Sequence, residues 1–249
     1  MILLIVIQMM FIMIMEAAMK YEIILFDVDD TLLDFGISEK KALHEAFLEY
    51  GLPTGVKDYV GCYQEISEVL WRDLEQGLID LTNLGVERFK RLFLKHGLDI
   101  EADAFSRAYL GYLGKEIHLM PGAVEVCEKL EGCRLAIITN GFTTVQTARI
   151  GGSPLSNTFE TLIVSQEAGF QKPDRGIFDY AFSKLKITDK SKALIVGDSL
   201  TSDIQGGLNY GMDTCWYNPQ QKGNNLGIKP TYEIRKLTDL LEIVGSKGV

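Results

Sequence analysis

Asp27, Asp29, Asp30 and Asp34 crowd the end of IILFDVDDTLLD, directly behind an apolar run that begins at Ile23. Like charges this close raise one another's pKa and repel, so the cluster requires a positive counterpart from elsewhere in the chain. Three later stretches end in groups of complementary chemistry: Thr139 and Asn140 in RLAIITNG, Lys172 in QKPD, and Asp198 with Asp203 in ALIVGDSLTSD. These types suit one reaction. A carboxylate can attack phosphorus, a second carboxyl can move a proton, a hydroxyl and an amide can hold phosphoryl oxygens, and a lysine can balance charge.

The elements that must position them can be read from hydrophobic period. Tyr21 to Phe26, β-branched and aromatic and closed by acids, predicts a buried strand. Between Gly36 and Met120, four stretches repeat apolar residues at three- and four-residue spacing, beginning SEKKALHEAF, GCYQEISEVL, LTNLGVERFK and EADAFSRAYL, and mostly end in glycine; they predict four helices and no strand. After Pro121 the pattern alternates: helix GAVEVCEKLE, strand RLAIIT, helix TTVQTARI, strand TLIVS, helix DRGIFDYAFSKL, strand ALIVGD, helix TSDIQGGLNY, strand DTCWYN. Alternation of this kind means right-handed βαβ units, and therefore an α/β, Rossmann-like doubly wound parallel sheet covered on both faces. The strand at Ile23 should join it, with the helical segment inserted behind. Ligands of such sheets bind beyond the carboxyl ends of the strands, where Asp27, Asp29, Thr139, Asn140 and Asp198 would stand.

Composition narrows the partners. The 249 residues are 47% hydrophobic, enough for one large domain or a core plus an insertion. Lys and Arg total 25 against 34 Asp and Glu, a formal net charge of -9. That leaves no basic footprint for a nucleic-acid polymer, while a small anion met through a metal ion remains allowed. Cys62, Cys127, Cys133 and Cys215 are scattered, without C-x-x-C pairs, and read as reduced thiols of a cytoplasmic protein. His44, His96 and His118 do not cluster, so a histidine metal site or a Ser-His-Asp triad has little support. The opening MILLIVIQMMFIMIM lacks the basic flank of a signal peptide and is shorter than the roughly 20 residues that span a bilayer. Residues 1–18 therefore read as an apolar leader upstream of a true start at Met19, with a membrane anchor or a packed helix as the alternatives.

In order and spacing, DVDDT, ITNG, KPD and GDSLTSD resemble the four motifs of the haloacid dehalogenase-like (HAD) superfamily of phosphohydrolases. The resemblance runs from about Met19 to about Leu240. It implies an α/β core at 19–35 and 120–249, with 36–119 as an inserted helical cap of the C1 type. Carried over by position, it makes Asp27 the nucleophile that forms an aspartyl-phosphate, and Asp29 the acid that protonates the leaving alcohol and then activates water. Thr139 would bind a phosphoryl oxygen with Asn140 assisting, and Lys172 would pair with both nucleophile and phosphate. Asp198 would hold Mg²⁺ together with Asp27 and the backbone carbonyl of Asp29, and Asp203 would reach the ion directly or through water. Plainer roles compete at some positions: helix caps or turns for Asp30 and Asp34, and a helix-dipole partner for Asp203.

Finer texture, IITNGFTTVQ, KPDRGIFDYAF and LWRDLEQG, resembles the pyrimidine 5′-nucleotidase branch of these phosphatases. The expected substrate is then a nucleoside 5′-monophosphate, acted on by a monomer or small homo-oligomer with no membrane partner. A sugar-phosphate or other small-metabolite phosphatase, a phosphomutase, and a receiver-like or binding-only protein are the rivals. Trp71 could stack on a nucleobase or be core, as aromatics at helical spacing more often are. ARIGGSPLSNTF departs from the branch's usual longer basic helix end and blurs where the next element begins.

Overall fold

In the computed structural model, residues 20–52, 56–130 and 132–245 are described; the leader at 1–18 lies outside them. The apolar runs form a six-stranded sheet: β1 (Ile23–Phe26), β2 (Arg134–Thr139), β3 (Thr161–Val164), β4 (Ala193–Gly197), β5 (Asp213–Tyr217) and β6 (Tyr232–Ile234). All neighbours pair in parallel, in the order β3-β2-β1-β4-β5-β6. The winding reverses at β1, which lies between β2 and β4. That is the switch point where an open sheet leaves a crevice at its carboxyl edge.

Both sheet faces are covered, so strand side chains are apolar on either side. Ile24, Phe26, Ile137 and Val196 pack on one face with Ala123 and Val126 of α5 (Ala123–Lys129) and Leu240 of α10 (Leu240–Gly245). Ile23, Leu25, Ile138 and Ile195 pack on the other with Ile177 and Phe178 of α8 (Arg175–Leu185). The remaining helices of this part are α6 (Thr143–Gly151), α7 (Ser165–Ala168) and α9 (Gln205–Tyr210). At Gly207 of α9 an added Cβ would stand 2.6 Å from side chains of Ile195 and Thr214, so a larger residue would push the helix off the sheet.

Between β1 and α5 the chain leaves the sheet and forms α1 (Phe35–Glu49), α2 (Val56–Glu75), α3 (Leu81–His96) and α4 (Ala102–Leu113). They enclose a core of their own, built from Leu43, Phe47, Tyr63, Phe89, Phe105 and Tyr109. Asp34, Asp80 and Glu101 accept hydrogen bonds from first-turn amides of α1, α3 and α4, and Gly97 ends α3 in the left-handed region at φ 63°. The chain enters and leaves this insertion along adjacent paths: Met120 N donates to Leu32 O at 2.9 Å and Asp34 N to His118 O at 2.7 Å. Among the described residues no helix is long and apolar enough to cross a membrane.

Candidate active site

Each residue expected at a strand end has a backbone reason to be there. Asp27 follows β1, and its amide still donates to Val196 O of β4 at 2.9 Å, so its side chain is fixed at the sheet edge. Asp30 turns the chain in the left-handed region at φ 56°, and its carboxylate accepts from Phe35 N at 2.9 Å, while Asp34 caps α1; both are turn and cap residues. Asp198 follows β4, its carbonyl held by the Trp216 indole N–H at 2.8 Å. A π-helical turn, Leu200–Ile204, then brings Asp203 back under the strand end. The glycine before Asp198 is required by that return, because a Cβ at Gly197 would collide with the Asp203 carboxylate.

Lys172 is the charged centre of the cluster. Its fully buried Nζ donates to Asp27 Oδ1 at 2.6 Å, Asp203 Oδ1 at 2.7 Å and Ile138 O at 2.8 Å. Asn140 holds the lysine's peptide at both ends, donating from Nδ2 to Lys172 O at 2.9 Å and accepting from Lys172 N at 2.8 Å. Asp203 also accepts from Ser199 N at 3.1 Å. Thr139 Oγ1 accepts from Gln146 Nε2 at 3.1 Å, which leaves its own O–H to donate elsewhere. Asp29 stands apart from Lys172: its carboxylate is ion-paired with Arg149 and accepts from Gln146 Nε2 at 2.8 Å.

Negative charge exceeds positive at this edge. Burial, opposed by Lys172 and reinforced by Asp203 and Asp29, pushes the Asp27 carboxyl up to about 7. Burial and the charges of Asp203 and Asp27 push Asp198 well above the carboxylate range, and Lys222 Nζ, 4.0 Å away, offsets this only in part. Burial disfavours the charge on Lys172, but Asp203 and Asp27 more than offset it and hold the lysine above its ordinary value. Asp27, Asp198 and Asp203 can each point one oxygen to a common position, all within 4.8 Å of one another. An oxygen-only set with surplus negative charge fits a hard divalent cation such as Mg²⁺.

A cavity of about 280 Å³ opens over the cluster, lined by Asp27, Asp29, Thr139, Asn140, Lys172 and Asp198, with Phe35, Trp71 and Glu75 facing them from the insertion. It adjoins a larger one of about 840 Å³ lined by Trp71, Glu39, Gln64, Arg72 and Leu226. Trp71 is half-buried, packing against the Leu70 and Leu84 cluster while lining both cavities, so it serves core and cavity alike. Gln146 and Arg149 were not foreseen as site residues, although their i, i+3 spacing on the helix behind ITNG puts both on one face.

The sequence model of the haloacid dehalogenase-like hydrolases matches residues 21–211. The chain belongs to this family. This hydrolase is 36% identical over 226 residues to the pyrimidine 5′-nucleotidase PynA of Streptococcus pneumoniae, covering 90% of the chain and 95% of the relative. It is 34% identical over 227 residues to the pyrimidine 5′-nucleotidase YjjG of Escherichia coli, covering 91% and 99%. Among solved structures, YfnB of Bacillus subtilis bound to magnesium matches with a TM-score of 0.84 at 38% identity, over 90% of this chain and 98% of that one.

Proposed function

We propose that this hydrolase is a cytoplasmic, Mg²⁺-dependent phosphomonoesterase that acts on nucleoside 5′-monophosphates, pyrimidine nucleotides foremost, through an aspartyl-phosphate on Asp27. The observation that carries this reading is a division between two carboxylates of one strand end. Asp27 is paired with Lys172 at 2.6 Å, whereas Asp29 is held by Arg149 and Gln146, and both line one cavity with Thr139. Different partners two residues apart support different roles, nucleophile for Asp27 and proton carrier for Asp29. The likeness to two relatives named pyrimidine 5′-nucleotidases supports the choice of substrate.

In the first step an Asp27 oxygen attacks phosphorus, the bond from phosphorus to the ester oxygen breaks, and Asp29, which must first take a proton from solvent on Oδ2 while Arg149 holds Oδ1, gives that proton to the departing alkoxide. A halide would need no such proton, which favours ester chemistry over dehalogenation. In the second step Asp29 takes a proton from water as the water oxygen attacks phosphorus, and the bond to Asp27 breaks to release inorganic phosphate. Thr139 donates its hydroxyl to a phosphoryl oxygen, Lys172 neutralises nucleophile and phosphate, and Asn140 acts chiefly by holding Lys172. Unit charges about 4 Å apart repel by roughly 4 kcal/mol at an effective dielectric near 20, so one lysine does not suffice for a carboxylate meeting a phosphate dianion. Mg²⁺, held by Asp27, Asp198 and the Asp29 carbonyl with Asp203 behind them, would supply the missing charge and orient the phosphoryl group.

Residues 36–119 would act as a cap that excludes water and receives the nucleoside in the cavity beside Trp71. The interdomain movement reported for magnesium-bound YfnB supports this part of the reading. A phosphate-release screen with Mg²⁺ across nucleoside monophosphates and sugar phosphates tests it. Preference for uridine and thymidine monophosphates is expected; activity confined to sugar phosphates would overturn the nucleotide assignment.

A further inference from the structure

We infer that Gln146 and Arg149 are positioning residues for the Asp29 carboxyl, and that Arg149 ties that position to the helical insertion. The inference rests on the reading of Asp29 as the proton carrier.

Both oxygens of Asp29 are held from α6: Oδ2 accepts from Gln146 Nε2 at 2.8 Å, and Oδ1 accepts from Arg149 Nη1. The holders are themselves joined, Arg149 Nη1 donating to Gln146 Oε1 at 3.2 Å, and Gln146 reaches Thr139 Oγ1 at 3.1 Å. Arg149 is fully buried and Gln146 is 2% exposed, so neither can turn to solvent. A carboxyl gripped at both oxygens by buried partners is confined to one orientation, which is the requirement for meeting first an ester oxygen and then a water.

The other two nitrogens of Arg149 leave the sheet. Nη2 donates to Ser38 Oγ at 3.3 Å, on the first turn of α1, and Nε donates to Glu116 O at 3.2 Å, on the returning connection. Ser38 in turn donates to Asp34 O at 2.7 Å. One rigid guanidinium therefore bonds the proton carrier, the way into the insertion and the way out of it. A buried guanidinium stripped of partners is costly, so displacement of Ser38 and Glu116 must either drag the fork from Asp29 or leave donors bare. Lysine, with one nitrogen, cannot replace these contacts.

The test separates positioning from general damage by leaving group. The full chain with Mg²⁺ is assayed as wild type, Arg149→Lys, Gln146→Leu, Ser38→Ala and Asp29→Asn on uridine 5′-monophosphate, whose alkoxide must be protonated, and on 2,4-dinitrophenyl phosphate, whose phenolate leaves unprotonated. Arg149→Lys and Gln146→Leu should lower kcat on the nucleotide by about 10- to 100-fold with KM nearly unchanged, yet release the first equivalent of dinitrophenolate at the wild-type rate before a slow steady state. Ser38→Ala should show the same pattern at about 3-fold, and its absence would overturn the tie to the insertion. Equal losses on both substrates in the first turnover, or none on either, would overturn the positioning role. Gln146→Leu retains the guanidinium and keeps the test open where Arg149→Lys folds poorly. Wild-type nucleotide turnover by Asp29→Asn would remove Asp29 as proton carrier; impaired Asp29→Asn beside normal Arg149 and Gln146 variants would sink this inference alone.

Discussion

Among the described residues, charge is buried both in the insertion and at the sheet edge, and the two are built differently. In the insertion, Arg88, 2% exposed, donates to the Tyr63 hydroxyl at 3.0 Å and lies 4.7 Å from the ring centre of Tyr109 and 5.1 Å from that of Phe89. Glu39, also buried, is its acidic counterpart and is drawn down by Arg88 while burial pushes it up to about 7. One cation faces one acid, and aromatic rings, the Tyr63 hydroxyl and the Gly85 carbonyl surround the guanidinium, whose Nη2 has no hydrogen-bond partner among the described residues. At the sheet edge Lys172 instead meets Asp27 and Asp203, with Asp198 close behind. Burial of charge is therefore no sign of chemistry by itself. The informative feature is imbalance: the insertion sets one cation against one acid, whereas the edge sets Lys172 against several carboxylates.

The largest effects should fall on the edge. Asp27→Asn removes the proposed nucleophile and should lower turnover by about 10⁴-fold or more while the protein stays folded, as read by steady-state kinetics and circular dichroism. Turnover at the wild-type rate would exclude Asp27 from that role. Arg88→Met should do the converse. It leaves the Tyr63 hydroxyl and Glu39 buried without the nearby cation and should cost about 1 to 3 kcal/mol in urea unfolding, with kcat per folded molecule within about 3-fold of wild type. A large kcat loss with unchanged stability would mean that the insertion's cluster takes part in catalysis after all.

What could be read from the sequence follows the same division. The strands that carry Asp27, Thr139 and Asp198 were legible because apolar runs closed by polar residues are local patterns, and Asp34 was legible as a cap because capping is local too. Gln146, Arg149, Glu39 and Arg88 were not. Polar residues on an amphipathic helix are assigned to solvent by periodicity, and only the tertiary partner, Asp29 or Tyr63, shows that they face inward. Asn140 was read toward phosphate, yet its side chain is engaged by the peptide of Lys172, a residue 32 positions away. The strand β6 escaped notice because three residues at a sheet edge are ordered by pairing, Cys215 with Tyr232 and Tyr217 with Ile234, rather than by an alternation of their own.

Metal addition offers a reversible comparison. Mg²⁺ at about a hundredfold its dissociation constant should stabilise the wild type by about 2.7 kcal/mol, since only the folded chain assembles Asp27, Asp198 and Asp203. Asp198→Asn should be more stable than wild type in chelator, because it removes a carboxylate that burial and its neighbours disfavour as an anion, yet gain nothing from Mg²⁺. Arg88→Met should keep the full magnesium shift. Thermal unfolding with and without the ion distinguishes these cases, and a magnesium shift retained by Asp198→Asn would place the ion elsewhere.

The smallest effect tests whether the insertion's pair is balanced in energy as well as in number. Glu39 rises from 4.5 to about 7 in the folded chain, chiefly by burial, so the folded state binds this proton more tightly than the unfolded state does. Its contribution is therefore most favourable below about pH 4.5, weakens as pH rises through 7, and is constant above. At about 1.4 kcal/mol per unit the whole change is on the order of 3 kcal/mol. Glu39→Gln keeps the shape and cannot titrate. Measured in chelator, so that the edge carboxylates contribute alike to both proteins, the variant should gain on wild type by roughly 2 kcal/mol between pH 5 and 8. A stability difference that does not change with pH would show Glu39 to be fully ionised beside Arg88. A difference that grows as expected would mean that near neutrality the insertion's cluster is neutral or positive but never negative, the opposite of the edge, where carboxylates outnumber the cations beside them.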